Sequence, residues 1–355
     1  MIDFKSYSLP LETPYRWSKG THILREGIIV RIEMEGHIGW GEAVLPPDKL
    51  LEATTQIEHA LSLIEGFNIL NEDFLEYLDE RELPSFLRCG ISTAWLCARA
   101  SMEGKSLADY LGSGFRIPAN TVQVNGFVTE PTVEGAVART REEIEKGFTT
   151  IKIKCTNQHE KDNKRIAAIR EEFPHIQIRL DPNESWGADA LERLSFMEKF
   201  NIEYVEQPLP VEDVLLKPNY SAELRRKSPI PIALDQSVSG LKEVKEILEK
   251  DLADILILKA PAIGGLDRCV NIIRIAEEQG INCVLTSGLE TVVGRMASLH
   301  CAALLKPPIP ACGFSLGRFF KHDLAEFPID KNGHIQLPTE TGLGIDISEW
   351  WNSEI

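Results

Sequence analysis

From about Asn120 onward, short β-branched apolar runs alternate with longer stretches whose apolar positions recur at helical spacing. NTVQVNGFV (120–128) precedes a helix expected over 131–147, and TTIKIK (149–154) precedes one over 159–172. IQIRLD (176–181), IEYVEQP (202–208) and IPIALD (230–235) precede helices over 188–200, near 213–227 and over 240–250. ADILILK (253–259) and INCVLTSG (281–288) precede helices over 265–280 and 290–305, and a last short strand is expected near PACGFS (310–315). Strict alternation of this kind predicts a parallel sheet, because parallel neighbours need crossover connections. Eight strands in about 200 residues suit a closed barrel rather than an open doubly wound sheet. No G-x-G-x-x-G follows the first strand, which argues against a dinucleotide fold.

The region before residue 119 has a different pattern. GIIVRIEMEGHIGWGEAVL (27–45) alternates about Gly36 and reads as an antiparallel hairpin, with helical segments expected near 49–64 and 84–111. The expected organisation is an α/β chain: an N-terminal α+β capping domain over 1–118, a (β/α)7β modified TIM barrel over 119–328, and a tail over 329–355 that packs back on the cap. At 355 residues and 43% hydrophobic content the chain has ample material for such cores.

Charge narrows the partners. The 54 acidic against 38 basic residues give a formal charge of −16, with no basic run to reverse it locally, so nucleic acid and anionic lipid surfaces are not expected partners. Seven cysteines lie mostly in apolar runs without a C-x-x-C, as reduced core thiols do. The N-terminal stretch lacks a signal-peptide core, and no apolar run is long enough to cross a bilayer; the expectation is a soluble, cytoplasmic protein.

In a β/α barrel the C-terminal strand ends converge on one mouth. Here strand two ends with Lys152 and Lys154, strand three with Asp181, strand four with Glu206, strand five with Asp235 and strand six with Lys259. A single acid in such a place commonly caps the next helix. Five successive charged ends in the order Lys, Asp, Glu, Asp, Lys are not what capping produces. Three carboxylates sharing one low-dielectric mouth call for a cation, and an all-oxygen donor set suits a hard one, Mg²⁺ first and Mn²⁺ second. A lysine beside another cation has its pKa lowered while nearby carboxylates raise it, so one of these lysines is a candidate base. Lys152 and Lys154, two apart on one strand, share a face.

At these residues the sequence resembles the enolase superfamily, muconate-lactonising branch, through K-I-K (152–154), D-P-N (181–183), E-Q-P (206–208), D-Q-S (235–237) and K-A-P-A-I-G-G (259–265). The resemblance covers nearly the whole chain. It implies a small-molecule carboxylate substrate, Mg²⁺ held by Asp181, Glu206 and Asp235, and Lys154 and Lys259 on opposite faces of the substrate beside Lys152. Proton removal next to a carboxylate then proceeds with the developing enolate stabilised by the metal. Within the branch, residues 21–43, LKAPAIGG (258–265), LTSGLET (285–291) and CGFSLGRFFKHDL (312–324) resemble the o-succinylbenzoate synthase family. That implies syn dehydration of 2-succinyl-6-hydroxy-2,4-cyclohexadiene-1-carboxylate in menaquinone or phylloquinone synthesis. Lys154 would be the base, and Asn183, Ser287, Gly288, Glu290, Gly313 and Ser315 the substrate-side residues. The alternative within the fold is an N-acylamino acid racemase or dipeptide epimerase, though the D-x-D typical of the epimerases after strand eight is absent from CGFSLG. Two departures are Gln236, where relatives often carry an acid, and Pro182 before Asn183. Tyr15, Arg16 and Trp17 fall where the family's capping loop would close, and His300 reads as a satisfied core histidine.

Overall fold

The computed structural model describes residues 1–17, 20–45, 62–64, 67–156, 158–327, 329–330 and 332–353, without the side chains of residues 13, 15–17 and 20–22. Strands β1 (Ile2–Trp17), β2 (Gly20–Met34) and β3 (His37–Val44) form an antiparallel sheet in that order. The β2–β3 turn is the expected one, with Glu35 and Gly36 at φ 48° and 82°, the left-handed pair a tight hairpin needs. The side chains of Tyr15, Arg16 and Trp17 and most of the helix expected over 49–64 lie outside the described residues; 62–64 are helical.

Helices α1 (Phe74–Asp79), α2 (Ser85–Met102) and α3 (Leu107–Gly112) follow. The stretch expected to be helical over 84–111 breaks between α2 and α3 at Gly104, φ 66°, and restarts with the Ser106 side chain capping Asp109 N–H. α2 lies directly on β3. A Cβ on Gly41 would fall 2.0 Å from the Gly90 carbonyl oxygen, so only glycine permits that approach.

The barrel begins with β4 (Thr121–Gln123) and β5 (Gly126–Val128), two strands where the sequence pattern predicts one over 120–128. It continues through α4 (Val133–Glu145), β6 (Thr150–Lys154), α5 (His159–Glu172), β7 (Gln177–Asp181), α6 (Ala190–Met197) and β8 (Ile202–Glu206). The helix expected near 213–227 is two, α7 (Val211–Leu215) and α8 (Pro218–Lys227), because Pro218 starts a helix and cannot continue one. Then come β9 (Ile232–Leu234), α9 (Leu241–Glu249), β10 (Ile255–Leu258), α10 (Ala260–Ile263), α11 (Leu266–Glu278), β11 (Asn282–Leu285) and α12 (Val292–Ala302).

Strands β5 to β11 form one parallel sheet in sequential order. The strand expected near 310–315 is reduced to two residues that join the sheet's edges. Cys312 bridges to Val124 and Gly313 to Thr286, with Asn125 N–H on Cys312 O at 3.0 Å and Ser287 N–H on Gly313 O at 2.9 Å. The curled sheet thus closes without a full eighth stave.

After the barrel, β12 (His334–Gln336) pairs antiparallel with β4, and α13 (Ser348–Asn352) lies on the N-terminal sheet. Lys5 donates to the carbonyls of Trp350 and Trp351 at 2.9 Å each, and Trp351 meets Trp40. Among the described residues no helix is long and apolar enough to cross a membrane.

Candidate active site

Strand alternation sorts the barrel into two faces. Ile151, Ile153, Ile178, Leu180, Val205, Leu234, Leu256, Leu258 and Leu285 are buried in the main core with the helices. The other face looks into the barrel. Its middle layer holds Tyr204, Ala233, Ile257 and Val284 as a small apolar cluster. One step further along each strand come Glu206, Asp235, Lys259 and Thr286. Lys154 pairs in register with Asp181 and belongs to the same upper layer, while Lys152 pairs with Arg179 one layer down.

The two lysines of β6 therefore point the same way from different depths. Lys152 reaches up from the lower layer and its Nζ lies 2.6 Å from Glu206 Oε1 and 3.0 Å from Asp181 Oδ2. Lys154 Nζ lies 3.1 Å from the same Asp181 oxygen, and Lys259 Nζ lies 2.6 Å from Asp235 Oδ2. All three acids are buried. In sheet order the acids occupy the three strands between the lysines of β6 and the lysine after β10.

Electrostatics follow from this packing. Burial pushes the Glu206 carboxyl up to about 7, with Lys152 pulling it back and Asp181 and Asp235 pushing the same way as burial. Burial also opposes ionisation of Asp181, yet Lys152 and Lys154 outweigh it and hold that carboxyl well below the usual range. Burial disfavours the ammonium forms of Lys152 and Lys259, but the facing acids more than compensate and both lie above the ordinary lysine value. For these two lysines the anticipated lowering is not found, because each is the counter-ion of a buried carboxylate. Among the described residues no three acid, His or Cys side chains stand close enough to hold a metal as they are. Ammonium groups lie between the acids instead. The donor set still suits a hard cation, since buried oxygens of Asp181, Glu206 and Asp235 are each already turned to a positive group.

Gln207 holds this arrangement from behind. Its buried Oε1 accepts from Asp235 N–H at 3.0 Å and Ser237 N–H at 3.2 Å, while Nε2 donates to Ser237 Oγ at 2.8 Å. Asn183, Glu184 and Gln207 all have positive φ, 50°, 71° and 44°, so the strand ends carry backbone strain that the hydrogen bonds must offset.

A cavity of about 410 Å³ opens over the floor. Lys152, Lys154, Asp181, Asn183, Asp235 and Lys259 line it, as do Ser287, Gly288, Glu290, Gly313 and Ser315; Glu206 sits beneath, in contact through Lys152. Four of these cavity residues also have partners within the protein. Gly288 N–H donates to Glu290 Oε2 at 2.7 Å and Ser287 Oγ bonds the same carboxylate, so Glu290 closes its own turn. Gly313 is a closure residue: a Cβ there would fall 2.2 Å from Thr286 Oγ1. Among the described residues Ser315 Oγ and Gln236 Oε1 are buried with no hydrogen-bond partner, and both residues line the cavity.

Sequence periodicity did not reveal the cavity's apolar wall of Val44, Leu45, Phe86, Phe127, Leu289 and Leu316. Nor did it reveal the polar ties between cap and barrel. Glu42 on β3 accepts from Tyr7 OH at 2.5 Å, Thr291 N–H at 3.0 Å, Thr291 Oγ1 at 2.7 Å and Gly294 N–H at 2.8 Å, capping α12 from the other layer. Arg88 on α2 donates to Gly264 O at 2.6 Å and pairs with Asp267 at 2.8 Å, fixing the turn after Lys259. The only local signals were an acid in G-W-G-E and an arginine in a helix. His300 is satisfied as expected, its Nδ1 accepting from Ala108 N–H at 3.2 Å and Nε2 donating to Leu343 O at 3.1 Å.

Charged strand ends gather around one mouth, under an antiparallel cap. The model of the enolase C-terminal domain-like family matches residues 135–351, and the chain belongs to the enolase superfamily. Over 242 residues it is 33% identical to the o-succinylbenzoate synthase of Thermobifida fusca, covering 66% of this chain and 71% of that one. It is 26% identical to the N-succinylamino acid racemase of Thermus thermophilus over 97% and 94% of the two chains. Among solved structures it resembles the N-succinyl Arg/Lys racemase of Bacillus cereus, with TM-score 0.89, 26% identity and coverage of 98% and 95%. It also resembles a dipeptide epimerase of Enterococcus faecalis complexed with Mg and L-Leu-L-Tyr, with TM-score 0.85, 25% identity and coverage of 97% and 98%.

Proposed function

We propose that this chain removes the proton next to a carboxylate with Mg²⁺ held by Asp181, Glu206 and Asp235, and that its reaction is the o-succinylbenzoate synthase dehydration. A divalent cation there would supply a Lewis acid for the substrate carboxylate. Binding it requires Lys152 to leave the position between Asp181 and Glu206. Lys154, whose Nζ lies beside Asp181 at the cavity floor, takes the α-proton. The resulting Lys154 ammonium stands on the same face to protonate the departing hydroxide. Lys259, four strands around the barrel, supplies positive charge from the other flank.

The observation that carries the choice of substrate is the charge balance of the cavity. Three acids face three lysines at the floor, and among the described residues the other charged side chains of the cavity are Arg25 and Glu290. With Lys154 as the neutral base, a divalent cation would leave the cavity net positive, which favours an anionic substrate such as a dicarboxylate. A dipeptide brings an ammonium instead, and the cavity acid outside the floor, Glu290, is already used by Gly288 and Ser287. This favours a succinyl-bearing acid over a dipeptide, and the 33% identity to a synthase supports dehydration.

A second reading, N-succinylamino acid racemisation, keeps the same two lysines and the same charge count. The test is purified protein with Mg²⁺ and the hydroxy acid, following aromatic product by absorbance. In parallel, N-succinylamino acids and dipeptides are followed for α-hydrogen exchange in D₂O. Aromatisation is expected. Exchange of dipeptides without aromatisation would remove the proposal.

A further inference from the structure

The wall of the cavity depends on a backbone turn that its own sequence does not favour. Leu289 has φ 73°, a left-handed conformation costly for a leucine, yet its side chain is buried with Phe127, Leu316, Phe319 and Phe320. Leu9 and Leu11 of β1 pack on that cluster. The turn is held from two sides. From within, Ser287 Oγ accepts from Leu289 N–H at 3.1 Å, and Glu290 accepts from Gly288 N–H. From the cap, Arg25 on β2 donates through Nε to Leu289 O at 2.9 Å and through Nη2 to Gly288 O at 3.4 Å. The same guanidinium bonds Leu45 O at 3.0 Å, where β3 ends. Immediately downstream, Glu42 binds Thr291 N–H and hydroxyl. A cation thus takes the carbonyls of the turn and an anion takes the amide that follows it, both from the capping sheet.

We infer that Arg25 is a positioning residue for substrate selection, clamping the left-handed Leu289 turn so that Leu289, Phe127 and Leu316 form a fixed wall for the non-reacting part of the substrate. The inference rests on the proposed site, but not on which carboxylate is turned over. All three side chains line the cavity with Arg25, and being apolar they form no hydrogen bond to the lysines or acids of the floor. Without the guanidinium two carbonyls lose a charged donor, and the remaining cap contacts, the packing of Leu9 and Leu11 and the Glu42 bonds to Thr291, do not hold those carbonyls. The floor keeps its geometry. The clamp therefore acts on binding of the substrate more than on the proton-transfer step.

The test uses Arg25→Met, which keeps the aliphatic stem, and Arg25→Lys, which restores a single donor. Hydrogen–deuterium exchange of the full chain is compared between a peptide covering 286–292 and one covering β8. In Arg25→Met the first is expected to exchange at least about tenfold faster while the second is unchanged, a pattern that partial unfolding would not give. With the hydroxy acid, KM is expected to rise about tenfold and kcat to change less than about threefold, with Arg25→Lys recovering part of the KM. Unchanged exchange over 286–292, or a loss confined to kcat, would overturn the clamp. If the wild-type protein does not turn over the hydroxy acid, the dehydratase reading fails and the exchange comparison alone decides the clamp.

Discussion

The floor and the wall of the cavity come from different kinds of structure. The floor is a row of side chains at the ends of consecutive parallel strands, each following an apolar residue that faces the helices, so its order in space is its order in the chain. The wall is assembled from β3, the first turn of α2, β5 and the loops after β11 and Gly313, parts that are distant in sequence. Proteins named a synthase, a racemase and an epimerase all resemble this chain, so one architecture serves reactions of different names.

The largest expected effect breaks the floor alone. Lys154→Ala should lower kcat about 10² to 10⁴-fold in the aromatisation assay, with Mg²⁺ still bound by calorimetry. Near-normal dehydration would move the base elsewhere. Next, Arg88→Met leaves floor and wall in place but removes a buried partner of Asp267 and Gly264 O, and should cost about 3 to 5 kcal/mol in denaturant unfolding. A cost below about 1 kcal/mol would mean that this tie between cap and barrel contributes little.

A third effect is pH-dependent and remote from the cavity. Burial lowers the His300 pKa from 6.5 to about 4, with the Leu343 carbonyl opposing. The unfolded chain then binds the proton first, so stability present above pH 6.5 falls as pH drops toward 4, by about 3 kcal/mol. Unfolding midpoints across that window should show the fall, and His300→Gln should flatten it. Smallest is Asp235→Asn, expected to weaken Mg²⁺ binding about tenfold or more by calorimetric titration while leaving the fold intact. If metal affinity did not change, Asp235 would be only the partner of Lys259.

These differences also explain how much the sequence makes legible. Period-two alternation and an apolar residue before each charge are enough to place Lys154, Asp181, Glu206, Asp235 and Lys259 together, because a closed parallel sheet leaves little choice. The eighth strand is shorter than its pattern suggests: PACGFS has strand-like apolar residues, but only Cys312 and Gly313 are needed to join the edges. Arg25, Glu42 and Leu289 are illegible because their roles depend on the cap meeting the barrel. Glu290 and Gly313 line the cavity, and each also serves the protein's own structure, since one closes its own loop and the other makes room for Thr286.

The most direct test of the shared chemistry is a crystal structure grown with Mg²⁺. The account predicts Asp181, Glu206 and Asp235 on a single ion, with Lys152 withdrawn from between the first two. An ion bound elsewhere, with Lys152 still bridging Asp181 and Glu206, would contradict it.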